Sequence, residues 1–190
     1  SAEKQPIKLS WRKIEWLQIR ITYNLIDMTL FVNTPNKMSE EQADKLLAAG
    51  ISFMCNKAFS AAYSCFELIP LKNFILLYNK ALCCFMVNWY DECHRLLCEA
   101  ELLLPGNAGV ISDRLPEAFL RYRYDVEPAY CPMPHDTPIQ LAYIQILRLK
   151  ADVAFKLDLH TEVKDISNRL GRKYKHIESL IINHNNNEDK

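Results

Sequence analysis

Small and aromatic residues recur through residues 43–105 in an order that suits pairs of antiparallel helices. Two helix backbones approach closely only where the side chains between them are small, so such positions report the pairing. In residues 78–107, YNKALCCFMVNWYDECHRLLCEAELLLPGN, Asn88 interrupts a helical pattern between two apolar segments and Pro105 closes the second. Ala81, Cys93 and Ala100 fall where the two helices would touch, which predicts a helical hairpin. Upstream, Gly50, Phe53, Phe59, Ala62 and Phe66 run small, aromatic, aromatic, small, aromatic and lead to a turn at Pro70. Only 4 glycines stand against 9 prolines that mostly avoid the long apolar runs, a balance that favours helices over short strands joined by Gly-rich turns. The expected fold class is all-α.

The flanking segments read as helices of other kinds. Ser10 is an N-cap for a long helix over residues 10–32. That helix carries one apolar stripe of Ile14, Leu17, Ile21, Leu25 and Met28 and a second of Trp16, Ile19, Tyr23, Ile26 and Leu30. Two stripes imply burial on two sides, and with it a homodimer through this helix. Ser39 with Gln42 forms a capping-box signature for the next helix. Residues 106–138 break the pattern: Pro116 suits the first turn of a short helix through Phe119 and Tyr122, whereas Pro128, Pro132, Pro134 and Pro138 cannot lie inside one. A loop of that length in a compact domain is usually functional or mobile. After Gly171 a last helix holds Tyr174, Ile177, Leu180 and Ile181, and HNNNEDK is expected to be disordered.

The hairpin segments resemble the tetratricopeptide repeat, a helix-turn-helix unit of ~34 residues. NWYDEC is similar to the family's GDYDEA, with Ala81 at the small helix-A position, Tyr90 at the turn aromatic, Cys93 at the helix-B alanine, Ala100 at the later alanine and Pro105 at the closing proline. The upstream copy matches through Gly50, Phe53, Phe59, Ala62 and Phe66, with a connection about three residues short. A degenerate third copy, LKADVAFKLDLHTEV, places Ala151 at the small position, Asp158 at the turn, His160 for the aromatic and Val163 for the alanine.

The resemblance implies a single domain over 1–190 built as a short right-handed superhelix of antiparallel hairpins. Repeats would occupy 39–70, 73–105 and 139–171, with a Pro-rich insertion at 106–138, a capping helix at 172–183 and a tail at 184–190. It further implies a concave groove lined by Leu47, Ile51, Met54 and Cys55, then Tyr78, Leu82, Phe85 and Met86, then Arg148, Asp152 and Phe155. Asn79 matches the asparagine with which many members fix a peptide backbone; Ala48 and Leu149 stand at the equivalent places, which argues against the carboxylate-clamp subtype. The function implied is a non-enzymatic adaptor or scaffold binding a peptide or helix of a partner protein, without cofactor or metal. The layout is also similar to class II type III secretion chaperones, cytosolic carriers of secreted proteins, although those tend to be acidic.

The remaining chemistry is sparse. Seven cysteines match no disulfide scaffold, and no paired C-x-x-C or H-x-x-x-H spacing marks a zinc site. His94 and Cys98 lie one helical turn apart but supply only two of four ligands. Cys131 and His135, in CPMPH with Asp136 adjacent, are the one candidate for a thiol-dependent enzyme. The prolines around Met133 hold them in an extended chain, where residues four apart lie over ~12 Å from each other. His160 fits a turn pocket, and Arg169, Arg172, Lys173, Lys175 and His176 fit a solvated basic face. No Gly-rich phosphate loop, G-x-S-x-G or H-E-x-x-H occurs. Balanced charge, 23 basic against 23 acidic residues, lacks the footprint of a nucleic-acid binder. No stretch reaches the ~18 apolar residues of a membrane span, and no secretory signal is evident, so with unpaired thiols the expected location is cytoplasmic.

Overall fold

The computed structural model describes residues 38–106, 108–109, 123–124 and 130–188, with side chains through residue 182. The long helix expected over 10–32, the homodimer through it, and the short helix around Phe119 lie outside the described residues. The described part is all-helical, with no strand. Its helices are α1 (Glu40–Cys55), α2 (Phe59–Glu67), α3 (Phe74–Met86), α4 (Tyr90–Leu102), α5 (Ile139–Lys156), α6 (His160–Arg169) and α7 (Lys175–Glu188). None is long and apolar enough to cross a membrane.

The starts follow local chemistry. Ser39 and Gln42 exchange backbone and side-chain hydrogen bonds at the head of α1, satisfying two orphan amides at once. Asn73 accepts from the Leu76 amide at 2.8 Å to open α3. Pro138 precedes α5 in an extended conformation, and its carbonyl takes the first helical bond, from Ala142, at 2.9 Å.

One turn is used three times. Lys57, Asn88 and Asp158 adopt φ of 60°, 60° and 59°, ending α1, α3 and α5 in the left-handed region. The next amide then reaches back into the helix: Ala58 to Phe53, Trp89 to Cys84, Leu159 to Ala154, at 2.8–2.9 Å. At a constant offset before each turn residue stand Gly50, Ala81 and Ala151, and at a constant offset after it Ala62, Cys93 and Val163. Apart from Gly50, each is at most 2% exposed, and these are the points where helix meets helix. Gly50 is itself buried, and a Cβ there would overlap the Phe66 ring.

The hairpins α1–α2, α3–α4 and α5–α6 pack in chain order, and α7 closes on α5 and α6. Helix α5 is buried on both sides. Ala142, Ile146, Leu149 and Val153 join the core of the first two hairpins, while Ile144, Leu147, Ala151 and Ala154 join a second core with α6 and α7. Helix α7 runs on to Glu188, beyond residue 183 where the sequence reading ends the capping helix. Once Tyr174 and Ile177 are anchored in the core, each added residue completes one more backbone bond without a new nucleation cost.

Candidate functional site

Helices α3 and α5, the first helices of the second and third hairpins, flank a groove that holds residues 130–135 of the same chain. The direction of that segment follows from its contacts. Tyr130 meets Phe85, near the end of α3, and Arg148 and Asp152 in the second half of α5. Five residues on, His135 shares a cleft of about 60 Å³ with Leu76, near the start of α3, and with Glu40, Asp44 and Leu47 of α1. The segment therefore runs antiparallel to both helices and enters α5 at Pro138.

The contacts are mainly to backbone. Within Pro132, Met133 and Pro134 the single amide N–H belongs to Met133, because proline has none. Asn79 takes it: its Oδ1 accepts from the Met133 amide and its Nδ2 donates to the Met133 carbonyl, both at 2.8 Å, in a pair shut away from solvent. The Tyr78 hydroxyl donates to the Cys131 carbonyl at 3.2 Å. Met133 is buried in the first core, and Thr137 donates twice to the Pro134 carbonyl before the helix begins.

A polar knot anchors the other end. The Tyr130 hydroxyl donates to the Asp152 carboxylate and lies 3.2 Å from the Arg148 carbonyl. Its ring stands edge-on to Phe85, centroids 5.5 Å apart, and 5.8 Å from the Arg148 guanidinium, which also faces Tyr174 at 6.0 Å. His176 Nε2 lies 2.8 Å from Asp152 Oδ1. Burial, then the Asp152 charge and its hydrogen bond, hold the Tyr130 phenol well above its ordinary range.

Of the residues expected to line a groove, Tyr78, Asn79, Phe85, Arg148 and Asp152 converge on this segment. Leu82 is buried, as are Leu47 and Met54; Ile51 and Phe155 are half-buried, and Phe155 packs against His160 at 5.8 Å. Met86 and Cys55 are exposed. The groove face is thus not an open apolar surface at its centre. The sequence reading missed Tyr130, Met133 and His176; the proline run signalled an extended segment without telling what it would lie against. His176 leaves the basic face assigned to it and enters the core because α7 packs back on α5, and Arg169, at the end of α6, pairs with Glu101 of α4.

The cysteines divide by position. Cys83, Cys84 and Cys93 are buried between helices, and burial drives their thiols far above the usual thiol range. Cys131 is exposed, its carbonyl engaged by Tyr78, and no hydrogen bond joins its thiol to His135. No family model matches the chain, and neither curated proteins nor solved structures gave a match.

Proposed function

We propose that this chain is a tetratricopeptide-like interaction module, an adaptor or scaffold without catalytic activity, whose groove between α3 and α5 receives an extended segment of a partner protein. The shared turn and the constant offsets of small residues in three hairpins support the repeat reading. The observation that carries the binding reading is Asn79, a fully buried side chain spent on both backbone groups of one residue in an extended segment. Recognition through main-chain bonds with alternate side chains in pockets is how extended peptides are commonly held.

Residues 130–135 then act as a built-in occupant that a partner displaces, and they describe what the partner looks like. It presents an aromatic residue for the site between Phe85 and Arg148, an apolar residue flanked by prolines for the Met133 site, and an imidazole or basic side chain towards Glu40 and Asp44. Prolines lower the entropy lost when such a segment is ordered. Unpaired thiols, three of them in the core, fit a reducing compartment such as the cytosol.

The test uses the full chain with residues 130–136 replaced by a Gly/Ser linker of equal length, and a fluorescent peptide copying residues 129–137 with serine for Cys131. The expected result is saturable binding with one site per chain, weaker in the unaltered protein and lost in the linker chain carrying Asn79→Ala. A linker chain with full helical content by circular dichroism that does not bind the peptide overturns the proposal.

A further inference from the structure

A second cluster lies on the other helices of the same hairpins, and the groove makes no use of it. His94 and Cys98 stand one turn apart on α4, and Glu162, in the first turn of α6, meets them from the next hairpin. His94 Nε2 is 2.7 Å from Glu162 Oε2, and Cys98 Sγ lies 3.8 and 3.9 Å from the two His94 ring nitrogens. One donor atom from each side chain falls within 4.8 Å of the others, and all three residues are half-buried. The structure around Glu162 is ordered by charge. Its other oxygen, Oε1, is held by Lys150 Nζ at 2.9 Å; Lys150 also bonds Glu101 at 2.8 Å, and Glu101 pairs with Arg169.

We propose that His94, Cys98 and Glu162 form a three-ligand site for a divalent cation of the Zn²⁺ class, which pins the second hairpin to the third. Thiolate, imidazole and carboxylate together suit Zn²⁺, whereas Mg²⁺ and Ca²⁺ require oxygen donors. With bond lengths of about 2.0–2.3 Å, a tetrahedral ion holds its donors about 3.4–3.6 Å apart. The carboxylate must therefore withdraw from the imidazole by about 0.7 Å, the sulfur must close on the imidazole by about 0.3 Å, and the sulfur and carboxylate must approach each other by up to about 1.2 Å. Lys150 does not compete for the ligand atom. It holds Oε1 and leaves Oε2 to the metal, as outer partners do when they orient a ligating carboxylate.

Charge balances as well: the cation is matched by the Glu162 carboxylate and by the Cys98 thiolate, whose proton passes to solvent as the sulfur–metal bond forms. The fourth position is left to water. The site does not depend on what the groove binds, since its ligands come from α4 and α6 and none of the hydrogen bonds or ring contacts of the segment at 130–135 goes to them.

The experiment is a Co²⁺ titration of the reduced, chelator-treated full chain, followed by Zn²⁺ competition. Expected are one equivalent bound tighter than about 10 μM, tetrahedral ligand-field bands, a thiolate-to-cobalt charge-transfer band, and loss of all of these on adding Zn²⁺. Cys98→Ser should remove the charge-transfer band and weaken binding by at least about tenfold. Glu162→Gln should weaken binding similarly while keeping the band, and Cys131→Ser should change nothing. No binding by the folded wild-type chain overturns the site, as does a charge-transfer band that survives Cys98→Ser. Should Cys98→Ser fail to fold, Glu162→Gln decides alone, and unchanged affinity in it overturns the site.

Discussion

Replacing Asn79 by alanine removes both hydrogen bonds to Met133 and strands an N–H and a C=O in a place water does not reach. A buried polar group left without a partner costs about 1–3 kcal/mol, so the pair sets a range of about 2–6 kcal/mol. That range has a ceiling, because the segment can instead undock and hydrate both groups. Undocking gives up the burial of the Met133 side chain, worth about 1.5–3 kcal/mol, together with the Tyr78 bond and the Tyr130 contacts. It regains backbone freedom of about 1–2 kcal/mol per released residue. The expected cost is therefore about 2–4 kcal/mol, and it falls on the docked segment before it falls on the helices.

Amide hydrogen exchange separates the two, and Met133 is a convenient reporter because its neighbours Pro132 and Pro134 have no amide. At a factor of ten per 1.4 kcal/mol, the Met133 amide should exchange about 30- to 700-fold faster in Asn79→Ala. Amides in the middle of α4 and α6 should keep their protection relative to global stability. Wild-type exchange at Met133 in the variant would refute the reasoning, since the bonds would then contribute nothing to docking. Equal acceleration at every protected amide would refute it differently, by showing that the segment and the helices open as one unit.

Three further outcomes follow from the packing and the charges. Gly50→Ala should lower the thermal midpoint despite a gain of about 1 kcal/mol in helix propensity, because the new methyl overlaps Phe66 and overpacking costs about 1–3 kcal/mol; an unchanged or raised midpoint contradicts the contact. Under native alkylation mapped by mass spectrometry, Cys55 and Cys131 should label first, while Cys83, Cys84 and Cys93 wait for unfolding, and peptide bound in place of the segment should speed Cys131 further. Burial pushes the Glu101 carboxyl up, but the hydrogen bonds and charges of Lys150 and Arg169 outweigh it and hold the group below the usual carboxylate range. A pKa depressed on folding gives stability that is present above the unfolded value of about 4.3 and lost as pH falls through the folded one. Urea midpoints of wild type and Glu101→Gln should hence differ at neutral pH and converge in acid; a gap independent of pH would disprove this.

Local chemistry accounts for much of what was legible. Ser39 and Gln42 announce a capping box, Asn88 and Asp158 stand at turns, and small residues at 81 and 93 mark a helix contact, each within a few residues of what it controls. Lys57 shows the limit of that reading. A non-glycine residue does not advertise a left-handed φ, and here the hairpin imposes it. The site was half legible for a similar reason. The resemblance to the tetratricopeptide repeat put Tyr78, Asn79, Phe85, Arg148 and Asp152 on inward helix faces, but it gave neither the Tyr130 anchor nor the partner of Asn79.

Among the described residues, what the amino-acid order determined by itself is the helical character, the positions of the turns and the extended conformation of the proline run, because these rest on contacts between residues close in sequence. Tertiary structure alone decided that Met133 lies against Asn79, 54 residues away, that His176 enters the core beside Asp152, and that Glu162 joins His94 and Cys98. Those pairings depend on how hairpins stack and on which surface remains for a loop to cover, and both are settled by packing summed over the whole fold rather than by any local preference.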